Sequence, residues 1–83
     1  MSVVRVRYFA GAAAAAGLAE EQVELPAPST VAQLRAELSG RHPALVPVLE
    51  VASLLLDGVT TRDGSRVLPA DPAVDVLPPF AGG

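Results

Sequence analysis

The chain has 83 residues, enough for one small domain, and 15 Ala, 12 Val and 11 Leu supply 38 of its 42 hydrophobic residues, so a core must be built from small and medium side chains. The absence of Cys excludes disulfide staples, thiolate nucleophiles and cysteine-ligated zinc, and fits a reducing, cytoplasmic setting. Six Arg, no Lys and nine acidic residues give a net charge of −3, which argues against a nucleic-acid partner, and no apolar run approaches the ~18–20 residues a membrane span needs.

Val3 to Phe9 alternates with period two, predicting a half-buried strand with Val4, Val6 and Tyr8 on one face and Arg5, Arg7 and Phe9 on the other. This alternation also counts against reading the first nineteen residues as a secretory signal. Ala12 to Ala16 has high helix propensity, and Gly17 is suited to end a turn or two of helix in a left-handed conformation. Glu20 to Leu25 predicts a second strand, paired with the first as a wide hairpin and ended by Pro26-Ala27-Pro28. Ser29 or Thr30 can cap the main helix, with Gln33 at capping-box spacing from Thr30, Val31, Leu34 and Leu38 recurring on one face, and Gly40 as its expected stop. Leu45, Val48 and Leu49 predict a short, irregular helical stretch. Ser53 to Leu56 and Val59 onward flank Asp57-Gly58, a favoured two-residue hairpin turn. Asp63-Gly64 predicts another turn, and Ala73 to Leu77 a last strand with Val74 and Val76 on one face. The expected organisation is an α+β domain over 1–77 with about five strands and one main helix, followed by a flexible tail over 78–83.

That tail, Pro-Pro-Phe-Ala-Gly-Gly, is the candidate site. Pro78 and Pro79 hold the chain extended, while Gly82 and Gly83 have no side chain, so a partner's backbone can close around them. Six extended residues reach at most roughly 20 Å, enough to place an end group deep in another protein's pocket. A frayed end of no consequence is the ordinary alternative. In the functional reading the chemistry belongs to the carbonyl carbon of Gly83. Its carboxylate is a poor electrophile until activated, most simply as an acyl adenylate. Little else has catalytic potential. His42 stands alone, without the partners of a metal site. Glu20, Glu21 and Glu24 read as a solvated acidic edge. Asp57 and Asp63 serve turns, and Ser29 and Ser53 lack a base. The chain therefore reads as a carrier or substrate rather than an enzyme in isolation.

Val-Arg-Val-Arg-Tyr-Phe-Ala-Gly at 4–11, Gly17, Ser-Thr-Val at 29–31 and Val-Leu-Pro-Pro-Phe-Ala-Gly-Gly at 76–83 resemble the family of molybdopterin synthase small subunits, the MoaD/ThiS-type sulfur carriers. The resemblance implies a ubiquitin-like β-grasp fold with the first and last strands side by side. It also implies a cycle. A ubiquitin-activating-like adenylyltransferase uses ATP and magnesium to adenylate Gly83, a persulfide sulfur donor replaces AMP to leave a thiocarboxylate, and the synthase large subunit takes sulfur onto cyclic pyranopterin monophosphate within a heterotetramer. No cofactor would be bound stably by the chain itself. The docking residues it implies are Phe9, Leu77, Pro78, Pro79, Phe80 and Ala81, with Val59 and Thr60 beside them. The chain departs from its relatives where a basic docking residue is expected near Ala13, in carrying Asp57 where Asn is common, and in lacking an Asp-Gly-Asp turn across 70–74. Related carriers for thiamine, cysteine or tRNA thiolation, and ubiquitin-like protein modifiers, share the Gly-Gly end.

Overall fold

A computed structural model describes residues 1–79. Phe80, Ala81, Gly82 and Gly83, on which the tail reading centres, lie outside the described residues. Five strands form one mixed sheet: β1 (Ser2–Tyr8), β2 (Glu20–Leu25), β3 (Ser53–Leu56), β4 (Val59–Thr61) and β5 (Ala73–Leu77), in the order β2-β1-β5-β3-β4. The two termini of the domain meet at its centre, where β1 and β5 run parallel with Val6 opposite Val74 and Tyr8 opposite Val76. The other pairs are antiparallel.

The period-two pattern becomes two faces. Val4, Val6, Tyr8, Val23, Leu25, Leu54, Leu56, Val74 and Val76 are buried on one of them. Against it pack α1 (Gly11–Ala16), α2 (Val31–Arg41) and α3 (Val46–Val51), through Ala12, Val31, Leu34, Leu38 and Leu49, with Leu45 from the 3₁₀ turn Pro43–Leu45. Burying a Leu or Val side chain is worth about 1.5–3 kcal/mol, so these contacts carry most of the stability of a chain this small. The opposite face, bearing Arg5, Arg7, Asp75, Leu77, Leu55 and Thr60, has no helix over it among the described residues.

Local signals set the ends of the elements. Gly17 at φ 80° closes α1, and its N–H donates to the Ala13 carbonyl. Thr30 caps α2 reciprocally: its hydroxyl accepts from the Gln33 N–H, and the Gln33 side chain accepts from the Thr30 N–H at 2.7 Å. Asp57 at φ 48° and Gly58 at φ 79° form the two-residue turn between β3 and β4. The expected stop at Gly40 is not used. The helix continues to Arg41 and is capped by His42, whose N–H donates to the Leu38 carbonyl at 2.9 Å. Arg41, the last helical residue, is held by Glu37 one turn earlier at 2.9 Å.

Candidate functional site

Pro78 follows directly on the end of β5, the strand that lies between β1 and β3. Phe9, one residue past β1, donates its N–H to the Val76 carbonyl at 3.3 Å. Alternation continues the open face from Arg7 to Phe9 and from Asp75 to Leu77, so Phe9 and Leu77 come together where Pro78 begins. Phe9 is 37% exposed. Its position is secured by a tight turn, in which the Phe9 carbonyl accepts from the Ala12 N–H at 2.9 Å and Ala10 adopts φ 50°, ψ −125°. These are the angles of the first central residue of a type II′ turn, a place glycine normally fills.

Thr60 pairs with Leu55, and Leu55 with Asp75, so Thr60 lies on the same open face, one strand beyond β3. Val59 pairs with Leu56 and falls by alternation on the helix-bearing side, where it is nevertheless 51% exposed at the sheet edge. The structure therefore brings Phe9, Leu77 and Pro78 together at the tail's root and sets Thr60 at a distance on the same face. Pro79 is exposed, next along the tail.

Two arrangements were not anticipated in the sequence. On the open face, Arg7 grips Asp75 with both arms of its guanidinium, Nε to Oδ1 at 2.8 Å and one terminal nitrogen to Oδ2 at 2.9 Å. The Arg7 guanidinium also lies 5.5 Å from the centre of the Phe9 ring. Hydrogen bonding and the charge of Asp75 raise the Arg7 pKa further above its already high value. A shallow depression beside this pair is lined by Arg5, Arg7, Glu20, Gln22, Ala73 and Asp75.

The second arrangement corrects the reading of Glu21 as a solvated acid. Alternation with Val23 and Leu25 turns Glu21 toward the core, opposite Val6. Its carboxylate accepts from the Tyr8 hydroxyl at 2.5 Å, meets His42 Nε2 at 2.6 Å and receives Arg41 at 3.3 Å. The Tyr8 and His42 rings pack edge to face, 6.0 Å between centres. His42 is thus a structural partner that ties the exit of α2 to the first hairpin. Burial pulls the Glu21 pKa upward, but the hydrogen bonds from Tyr8 and His42, with the charges of His42 and Arg41, bring it below the ordinary carboxylate range. Burial, then the bond to Glu21, pushes the Tyr8 phenol far above its ordinary value. The alternation Glu21-Val23-Leu25 was the signal that could have placed Glu21 inside.

The mixed five-stranded sheet, helices on one face and a chain end rooted in the central strand define a ubiquitin-like β-grasp domain. The sequence model of the ThiS family matches residues 6–83, and the chain belongs to that family. It is 33% identical, over an alignment of 84 positions that covers all of both chains, to the molybdopterin synthase sulfur carrier subunit of Caenorhabditis briggsae. Among solved structures it is similar to a protein assigned as molybdopterin converting factor subunit 1 from Pyrococcus furiosus, with a TM-score of 0.84 at 26% identity, over 96% of this chain and all of the other. It is also similar to small archaeal modifier protein 1 of Methanosarcina acetivorans, with a TM-score of 0.79 at 26% identity, over all of this chain and 98% of the other.

Proposed function

We infer that the chain is the sulfur-carrying small subunit of a molybdopterin synthase. One observation carries the reading: the family match runs through residue 83, so that Pro-Pro-Phe-Ala-Gly-Gly follows directly from a central strand whose exit is flanked by Phe9 and Leu77. A partner that recognises the folded open face can thereby receive the last residues at a fixed point.

In this reading an adenylating enzyme of the ubiquitin-activating kind uses ATP and magnesium to join the Gly83 carboxylate to AMP, releasing pyrophosphate. The terminal sulfur of a persulfide donor attacks the acyl adenylate and expels AMP, and a thiol then cleaves the resulting acyl disulfide, forming a disulfide with the donor's inner sulfur and releasing Gly83 as a thiocarboxylate. The large synthase subunit then takes up the tail, and sulfur passes to cyclic pyranopterin monophosphate. Gly82 and Gly83 provide the narrow thread, Pro78 and Pro79 the stiff neck, and Phe9, Leu77, Phe80 and Ala81 the apolar contacts. The domain contributes position, while the bond-making groups belong to its partners.

The test is intact mass spectrometry of the protein after incubation with the activating enzyme, ATP and a sulfur donor, followed by addition of the large subunit and the pterin precursor. Exchange of one oxygen for sulfur, then its reversal with dithiolene formation, is the expected result. Deleting Gly83 is expected to abolish both steps while leaving the circular dichroism spectrum unchanged. Thiocarboxylate formation without dithiolene would redirect the chain to another sulfur pathway. Because a similar fold is that of an archaeal modifier protein, attachment of Gly83 to target lysines in place of sulfur exchange would support that second reading.

A further inference from the structure

We propose that Arg7 is a positioning residue for docking: clamped by Asp75, it holds the Phe9 ring in its binding pose at the root of the tail. This rests on the sulfur-carrier reading for its consequence, and on the geometry alone for its structural part.

Asp75 lies on the sheet face that carries no helix, yet its side chain is only 13% exposed, against 59% for Arg7. A carboxylate so covered requires compensation, and the two-armed contact from Arg7 supplies it. The pair bridges β1 and β5 at directly opposed positions, 68 residues apart in sequence. It lies two residues before Phe9 on one strand and two before Leu77 on the other. With Nε and one terminal nitrogen committed to Asp75, the guanidinium plane has little freedom, and its centre sits 5.5 Å from the Phe9 ring centre. A cation at that distance restrains the ring. Phe9 follows a strand end and is 37% exposed, and fixing its rotamer beforehand removes an ordering cost from docking. A solely structural ion pair explains the contact with Asp75 but gives no reason for stability and docking to diverge.

The proposal is tested with the full chain and the adenylating enzyme, by measuring carrier-dependent turnover for wild type, Arg7→Met, Phe9→Ala and the double variant. Arg7→Met keeps the apolar stem and removes the fork. Its KM for the carrier is expected to rise about three- to ten-fold with kcat unchanged, and the double variant is expected to be no worse than Phe9→Ala. An unchanged KM, or effects that multiply in the double variant, would overturn the proposal. Asp75→Asn supplies a second route should Arg7→Met fold poorly, with a KM shift in the same direction expected and no shift counting against the idea. Absence of turnover with wild type would defeat the sulfur-carrier reading instead. The structural part then keeps its own readout in the free protein: ring-current shifts of the Arg7 side-chain protons from Phe9, lost in Asp75→Asn if the carboxylate sets the pose and retained if it does not.

Discussion

Glu21 shows how one residue can join three elements. It accepts from Tyr8 on β1, from His42 at the exit of α2 and from Arg41 within that helix. Because its folded-state pKa lies below the ordinary 4.5, its contribution is present above that pH and is lost as pH falls through the folded value. Urea midpoints are therefore expected to decline as pH falls below about 4.5, and Glu21→Gln to lower stability at neutral pH and flatten that decline. Tyr8 works in the opposite sense. Its raised pKa stabilises the fold below pH 10.0, a contribution lost as pH rises toward the folded value. Tyr8 is the only tyrosine and there is no tryptophan, so ultraviolet absorbance reads its ionisation without overlap. Phenolate is expected to appear only as the domain unfolds, and a titration near the ordinary value in the folded protein would contradict the buried bond. The sequence made Glu21 readable as a core-facing position, but its two neighbouring glutamates drew the reading toward a solvated edge. The partners that satisfy it come from elsewhere in the chain and leave no mark on local pattern.

At the level of elements, turns and caps were the most legible features because each depends on a few adjacent residues. Thr30 with Gln33, Gly17, and Asp57-Gly58 all act as their chemistry predicts. Gly40 misled because glycine permits a stop without imposing one, and the Arg41 contacts with Glu37 and Glu21 favour carrying the helix one residue further. Ala10 escaped notice for the converse reason. It occupies a positive-φ position that usually selects glycine, while Gly11 beside it begins α1. An alanine so placed is strained, so Ala10→Gly is expected to stabilise the domain by about 1 kcal/mol in urea denaturation. A loss of stability would show that the turn is not strained. The strained residue adjoins Phe9, whose placement is what the proposed docking calls for, a trade of stability for position.

For the whole molecule, strand order was the part least written in local pattern. Five strands and a main helix can be inferred from periodicity, but the parallel pairing of β1 with β5 brings together segments separated by most of the chain. Only the likeness of the two ends to a known family anticipated it. The Arg7–Asp75 pair depends on that register and was hidden for the same reason. The topology also separates two kinds of truncation. Removing residues 78–83 deletes no strand among the described residues and is expected to change stability by less than about 0.5 kcal/mol. Removing 73–83 takes out the strand between β1 and β3, exposing Val74 and Val76 partners on both sides, and is expected to abolish cooperative unfolding in urea. A cooperative transition in the longer deletion would mean that β5 is dispensable to the core.

The central place of β5 has a mechanical meaning. Traction on the thread that follows Leu77 is directed along a strand bonded to β1 on one side and β3 on the other. The load is then shared in shear by two ladders at once, whereas an edge strand would peel away one bond at a time. A domain anchored in this manner can bear a pull on its end while its interior stays shut.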